Sequence, residues 1–349
     1  MSNIAEIDKN FAVGKSITRE GVKFYSAEEK PFVINGVYRE GRKFTRMPRA
    51  VADRVSEGVV YLHTNTAGGR VRFKTDSGCV AISVRMEKIG KMPHFALTGS
   101  AGFDMYVDGV YTKTFTPPFA IETGYESLFE FSDGKKLREI CINFPLYTDV
   151  CELFVGLDGD AVVEAPTPYI SDKPVVYYGS SITQGGCASR PGMSYQAIVS
   201  RRFNLDYINL GFSGNARGEL PMAEYIAGLE MSVFVYDYDH NAYHVPELKE
   251  THERMFKMIR KAHPELPVIM MPRPKLRLTE VEKTRREIIL ETYNNALASG
   301  DRNVYYISNE KLCELCADEG TVDNCHPTDF GFASMAKAVG DVIEEILEK

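Results

Sequence analysis

The strongest constraint on this chain is a change of period partway along it. Before residue 165 the apolar residues fall in short runs of β-formers, and after residue 174 such runs alternate with amphipathic helical stretches. A half made of strands alone and a half that alternates strand with helix build different layers, so two architectures are required. The 349 residues leave room for both, at roughly 150 residues per domain. Between them the sequence is rich in proline, Ala165-Pro-Thr-Pro168 and then Asp172-Lys-Pro174. The boundary is therefore expected there, with residues 1–170 as one domain and 171–349 as the other.

In the first half Val59–His63, Val71–Thr75 and Val80–Met86 read as strands. Phe103–Val107 and Val110–Phe115 flank Asp108-Gly109, a pair suited to a type I′ turn because both central residues need positive φ. A second hairpin is expected at Asp133-Gly134, between Leu128–Phe131 and Leu137–Phe144. Many short strands without a long helix predict an all-β sandwich, jelly-roll-like.

The second half predicts strands at Val175–Tyr178, Tyr207–Leu210, Val233–Tyr236, Val268–Met271 and Val304–Ile307. Tyr195, Ile198, Val199 and Phe203 share a helical face. Thr279 and Glu282 are spaced as a capping box opening a long helix, and Thr328 to Leu347 has helical spacing throughout. Alternation of this kind predicts an α/β class domain: a parallel sheet between helical layers, α/β/α.

Charge narrows the partners. Lys+Arg is 41 against Asp+Glu 48, a net charge of −7, where a nucleic-acid binder usually shows a basic excess. No apolar run approaches the ~20 residues that span a bilayer, and no membrane partner is expected. The first residues, MSNIAEIDKNFAVGKS, lack a charged segment followed by an apolar core, so a cytoplasmic protein is expected. Seven scattered cysteines then read as free thiols. A homo-oligomer is compatible with this composition. Trp is absent, so any sugar-stacking surface has to use Tyr or Phe.

In an open α/β sheet the reactive groups gather beyond the carboxyl ends of the strands. That rule selects Gly179–Gly186, Gly211–Asn215, Asp237–Asn241 and Pro272–Pro274, together with Asp323–Pro327 before the last helix. These loops offer a hydroxyl, small residues with exposed N–H groups, a side-chain amide and an Asp/His pair, which are the components of acyl transfer.

Four short blocks in this order resemble the SGNH, or GDSL-type, hydrolase superfamily. Gly179-Ser180-Ser181-Ile182-Thr183 is similar to its nucleophile block, Gly214 to the glycine block, Asn241 to the asparagine block, and Asp323-x-x-His326-Pro327 to the final block. Gly102-Phe103-Asp104-Met105-Tyr106 resembles the Gly-x-Asp-Leu-Tyr signature of a β-rich domain that precedes some of these hydrolases. Ser180 stands where the common block has Asp, and Asn241 lacks the Gly and Asp that often surround it.

The resemblance implies a fold, an SGNH-like three-layer domain, and an activity, metal-free ester hydrolysis with no cofactor. It implies Ser181 as nucleophile, His326 as base and Asp323 as its orienting carboxylate. Backbone N–H groups of Ser181 and Gly214 and the amide of Asn241 would form the oxyanion hole. Taken alone, Asp-x-x-His fits a helix cap, Gly214 a turn and Asn241 a local cap. Arg190, Arg217 and Arg273 sit on loops of the same edge and are candidates to bind a substrate carboxylate or sugar hydroxyls. His240-x-x-x-His244 has metal-ligand spacing, but Pro246 disfavours a helix presenting both rings, and no metal is expected. Cys313-x-x-Cys316 lacks a second pair.

The expected function is a serine esterase acting on small acyl, above all acetyl, esters of carbohydrates, a small-molecule or oligosaccharide substrate. A lipid or thioester acyl-hydrolase is the alternative within enzymes, and a carbohydrate-binding protein on an inactive scaffold the alternative outside them.

Overall fold

The structure, a computed structural model, describes residue 17, residues 19–242 and residues 244–349. It falls into two compact units that interleave in sequence. One comprises the described residues up to Thr45 with Thr64–Pro168 and Ser189–Gly192; the other comprises Arg46–His63, Tyr169–Ala188 and Met193–Lys349. A single cut near residue 170 therefore does not separate them.

The first unit is antiparallel. Val22–Ser26, Asp149–Asp158, Cys79–Glu87 and Gly124–Glu130 form one sheet in that order. The other sheet runs Val163–Glu164, Arg70–Thr75, Arg138–Asn143, Phe103–Val107 and Val110–Phe115, with Val33–Asn35 also paired to Arg70–Thr75. Inward residues of both sheets, among them Val71, Phe73, Ile140 and Ile142 from one and Val80, Ile82, Val155 and Leu157 from the other, share a single core. This is the expected sandwich.

The Asp108-Gly109 hairpin forms as predicted, with φ of 49° and 79° at the two residues and Val107 paired with Val110. The hairpin expected at Asp133-Gly134 does not. Gly134 does adopt positive φ, but Gly124–Glu130 pairs with Cys79–Glu87 while Arg138–Asn143 pairs with Arg70–Thr75 and Phe103–Val107. The chain there crosses from one sheet to the other. A turn dipeptide permits reversal; which edge the next strand joins is decided by the core it must cover.

In the second unit five parallel strands run in the order Tyr207–Gly211, Val175–Gly179, Val233–Asp237, Val268–Met270 and Val304–Tyr306. Val175–Gly179 is buried at every position, as a sheet covered on both faces demands. Val176 and Tyr178 face a core shared with Met222, Ile226, Leu248, Met255, Ile259 and Ile289 from the helices Leu220–Ala227, Val245–Ala262 and Glu280–Ala298. Tyr177 packs the other way, edge-on to Tyr195 at 5.5 Å, and Tyr195 stacks on Phe332. Those two residues lie on Tyr195–Phe203 and Asp329–Leu347, so helices cover both faces. The capping box at Thr279 is present, with both reciprocal bonds to Glu282.

Val59–His63, expected as a strand, is instead helix Glu57–Leu62, preceded by helix Arg49–Val55. Ser56 caps the second of these by accepting from the Val59 N–H. Met47, Ala52, Val59 and Leu62 join the core of the parallel sheet. The Arg46 guanidinium, 2% exposed, donates to the carbonyls of Asn209 (3.1 Å), Gly211 (2.6 Å) and Leu62 (2.8 Å). β-branched residues suggested a strand, and tertiary packing overrode that local preference.

Candidate active site

The order of the parallel strands reverses around Val175–Gly179, and such a point is where an open sheet leaves a crevice beyond its carboxyl ends. Ser181 sits there, the first residue of a short helix, Ser181–Gln184. The Ser180 hydroxyl caps this turn by accepting from the Ile182 N–H at 3.1 Å, and Gly185 closes it at φ 100°. Ser180 is thus a capping residue, a role an Asp performs equally well.

Beneath the turn, the Thr183 carbonyl accepts from the amides of Gln196 and Asn209, each at 2.7 Å. The Thr183 hydroxyl donates to buried Asp237, to which Tyr195 also donates at 3.4 Å. Burial pushes the Asp237 carboxyl well above the usual carboxylate range. Gly179 has no alternative here: a Cβ would lie 1.7 Å from Asp237 Oδ1 and 2.1 Å from Thr183 Oγ1.

The Ser181 hydroxyl lies 3.0 Å from His326 Nε2, and His326 Nδ1 lies 2.8 Å from Asp323 Oδ2. The other Asp323 oxygen accepts from the backbone N–H groups of His326 (2.7 Å) and Cys325 (3.1 Å). Burial alone would raise the Asp323 carboxyl, but these N–H groups and the His326 ring outweigh it and hold it low. His326 is raised to about 9: the Cys325 sulfur at 4.0 Å and the Asp323 carboxylate favour its charged form more than burial opposes it. One hydroxyl, one imidazole and one carboxylate from opposite ends of the unit thus form a continuous hydrogen-bonded run.

Asn241 is buried, with its Oδ1 accepting from the Ala216 N–H at 3.3 Å. That bond orients the amide and leaves its NH₂ for donation. Gly214 has φ 71° in the turn after Tyr207–Gly211, and its N–H carries no intramolecular hydrogen bond among the described residues.

Two of the three candidate arginines, Arg190 and Arg273, have protein partners for their guanidinium groups. Arg190 belongs to the β-rich unit, where it donates to Asp104 Oδ2 at 2.8 Å and to the Tyr106 hydroxyl, and lies 3.8 Å from the Tyr111 ring centroid. Asp104 also accepts from the Gly192 N–H at 2.9 Å. The Gly102–Tyr106 signature therefore grips the segment around Arg190, which is engaged by protein groups. Arg273 is 11% exposed at its side chain; it pairs with Glu282 and donates to the Asn324 carbonyl at 2.9 Å. Arg217 is half-buried, and its backbone N–H donates to Glu219 Oε2 at 3.3 Å.

Sequence reasoning selected the loops that hold Asp237, Arg273 and Cys325 but missed what each does: Asp237 accepts from Thr183, Arg273 donates to the Asn324 carbonyl, and the Cys325 sulfur is 3.0 Å from His240 Nε2. Asp237 ends a strand at the active edge, a position that does flag it. Burial, and next Arg273, depress His240 to about 3. His244 is exposed and precedes helix Val245–Ala262.

Residues 172–344 match the GDSL-like Lipase/Acylhydrolase family, and residues 22–163 match the GxDLY N-terminal domain of SGNH-hydrolase-type esterases. A solved structure from Bacteroides ovatus described as a GDSL-like lipase is similar, with 29% identity, TM-score 0.83, and coverage of 94% of this chain and 98% of that one. A salicylyl-acyltransferase from a tetracycline biosynthetic pathway shares the fold at 18% identity and TM-score 0.75, over 94% and 98% of the two chains. A family two carbohydrate esterase from Clostridium thermocellum does so at 15% and 0.62, over 91% and 99%. No curated protein matches the chain.

Proposed function

Because residues 172–344 belong to the GDSL-like lipase/acylhydrolase family and follow a GxDLY domain, we propose that this chain is a serine esterase that removes small acyl groups, acetyl above all, from carbohydrates. The observation that carries the reading is the run Ser181 Oγ, His326, Asp323, at 3.0 and 2.8 Å. A serine hydroxyl is a weak nucleophile at neutral pH and needs a base in contact with it.

In this reading His326 Nε2 takes the Ser181 proton as Oγ attacks the ester carbonyl. Asp323 holds the ring in the correct tautomer and stabilises the imidazolium. The developing oxyanion is met by the N–H groups of Ser181 and Gly214 and the amide of Asn241. His326 then protonates the leaving alcohol, and the same residue activates the water that cleaves the acyl-enzyme. A carbohydrate ester as substrate is favoured by the carbohydrate esterase among the structures of like fold.

A fluorophosphonate should label Ser181, and Ser181→Ala should abolish both labelling and aryl acetate turnover. Acetylated oligosaccharides compared with aryl esters of rising chain length test the substrate class. Labelling unchanged in Ser181→Ala sinks the assignment of the nucleophile, and a preference for long acyl chains sinks the acetyl-carbohydrate reading.

A further inference from the structure

A backbone N–H serves an oxyanion only when its peptide plane is turned the right way. The Asn215 N–H donates to the Phe212 carbonyl at 2.8 Å, closing a tight turn with Ser213 and Gly214 at its centre. Of those two, only Gly214 has positive φ, 71°, which makes the turn type II. A type I turn differs from it by a flip of the central peptide, here Ser213 C=O with Gly214 N–H. The flip would carry the Gly214 N–H to the opposite side of the turn.

Two side-chain amides hold this peptide. Asn215 Nδ2 donates to the Ser213 carbonyl at 2.7 Å. The Ser213–Gly214 bond is trans, so its C=O and N–H point in opposite directions, and a partner that fixes one fixes the other. Gln184, fully buried at the end of the short helix that Ser181 opens, accepts from the Ser213 N–H at 3.0 Å. The Asn215 amide fits because Gly58, on helix Glu57–Leu62, has no side chain. A Cβ there would lie 1.8 Å from Asn215 Oδ1, 2.2 Å from its Cγ and 2.7 Å from its Nδ2. Gly58 belongs to the same compact unit as Ser181 and Asn215.

We propose that Asn215 is a positioning residue of the oxyanion hole: by holding the Ser213 oxygen it turns the Gly214 N–H toward the reacting carbonyl, and Gly58 leaves the space that this requires. The consequence for catalysis rests on the esterase reading above, in which Gly214 is an oxyanion donor. A donor aimed at developing charge acts mainly in the transition state, so the loss should fall on kcat.

At pH 8 neither Asn215→Ala nor the ionised side chain of Asn215→Asp can donate to the Ser213 carbonyl. Both variants should lower kcat on an aryl acetate by about 10–10²-fold with KM nearly unchanged. An aryl boronic acid, which forms a tetrahedral adduct on Ser181 with an oxygen in the hole, should lose affinity by a similar factor. Gly58→Ala should give the same pattern by displacing the amide, although alanine by itself favours a helix. Added to Asn215→Ala, it should cost nothing more. Circular dichroism identifies the folded variants, and Asn215→Asp and Gly58→Ala decide should Asn215→Ala fail to fold. Full kcat in a folded Asn215 variant, or a loss seen in KM alone, overturns the positioning role; with Ser181→Ala inactive, the esterase reading survives. Additive losses in the double variant overturn the part given to Gly58. A wild type that neither turns over aryl acetate nor takes up a fluorophosphonate overturns both readings.

Discussion

The Arg273 guanidinium donates to the backbone carbonyl of Asn324 at 2.9 Å, between Asp323 and His326. Asn324 itself sits at φ 62°, in the left-handed region, which Asn adopts more readily than most side chains. Glu282, carried by the capping box of its helix, anchors the arginine from behind. Arg273, a candidate for substrate binding, thus secures the loop that carries His326.

That difference has a kinetic signature. Arg273→Ala should lower kcat on a small aryl acetate by about 10–10²-fold, since misplacement of catalytic groups by ~1 Å is enough for such a loss. KM should hardly change. A substrate-binding arginine would show the opposite pattern, a raised KM at nearly constant kcat.

Asn241 and His326 separate by role. An amide that strengthens its bond only as the carbonyl oxygen becomes charged acts in the transition state. Asn241→Ala should therefore cost about 10²–10³-fold in kcat with little change in KM. His326→Ala should cost more, on the scale of a lost triad member. Full kcat in Asn241→Ala would reduce the amide to its bond with the Ala216 N–H.

The pH profile follows from His326. The ring must be neutral to accept the Ser181 proton, and its surroundings raise it to about 9, so the charged, inactive form dominates below that value. For the wild type kcat/KM should rise from pH 7 to a plateau above about 9. Asn241→Ala should keep the same limb at a lower height, and His326→Ala should lose it. A wild-type profile already flat at pH 7 would contradict the raised value.

A fragment beginning at Ser171 should not fold stably. It lacks Met47, Val59 and Leu62, which belong to the core of the parallel sheet, and Arg46, which caps the carbonyls of Asn209 and Gly211. Each of the three large apolar side chains contributes about 1.5–3 kcal/mol when buried, against a total of about 5–15 kcal/mol for a typical domain. Thermal melting followed by circular dichroism should show no cooperative transition for the fragment near that of the full chain.

Much of the second unit was legible because its signals are local. The strand at Val175, the helix from Tyr195 and the capping box at Thr279 each depend on residues within a few positions, and all form as expected. So does the turn at Asp108-Gly109, where two neighbouring φ angles are the whole requirement. The strand read at Val59–His63 failed because its apolar residues meet partners from distant sequence, Met222 and Ile226 among them. The Asp133-Gly134 hairpin failed for the same kind of reason: the turn forms, and the two strands join different sheets.

By itself the sequence determined two architectures, the parallel order of loops at one sheet edge, and the positions of Ser181, Asp323 and His326 on those loops. These depend on periodicity and on short motifs, which act over a few residues of chain. Only the tertiary structure decided that Arg46–His63 belongs to the second unit, that Arg190 answers to Asp104, that Arg273 secures Asn324, and that Cys325 lies between two imidazoles. Such relationships join side chains far apart in sequence, except where Cys325 adjoins His326. They are set by how helices and strands pack, a three-dimensional outcome that no local pattern of residues encodes.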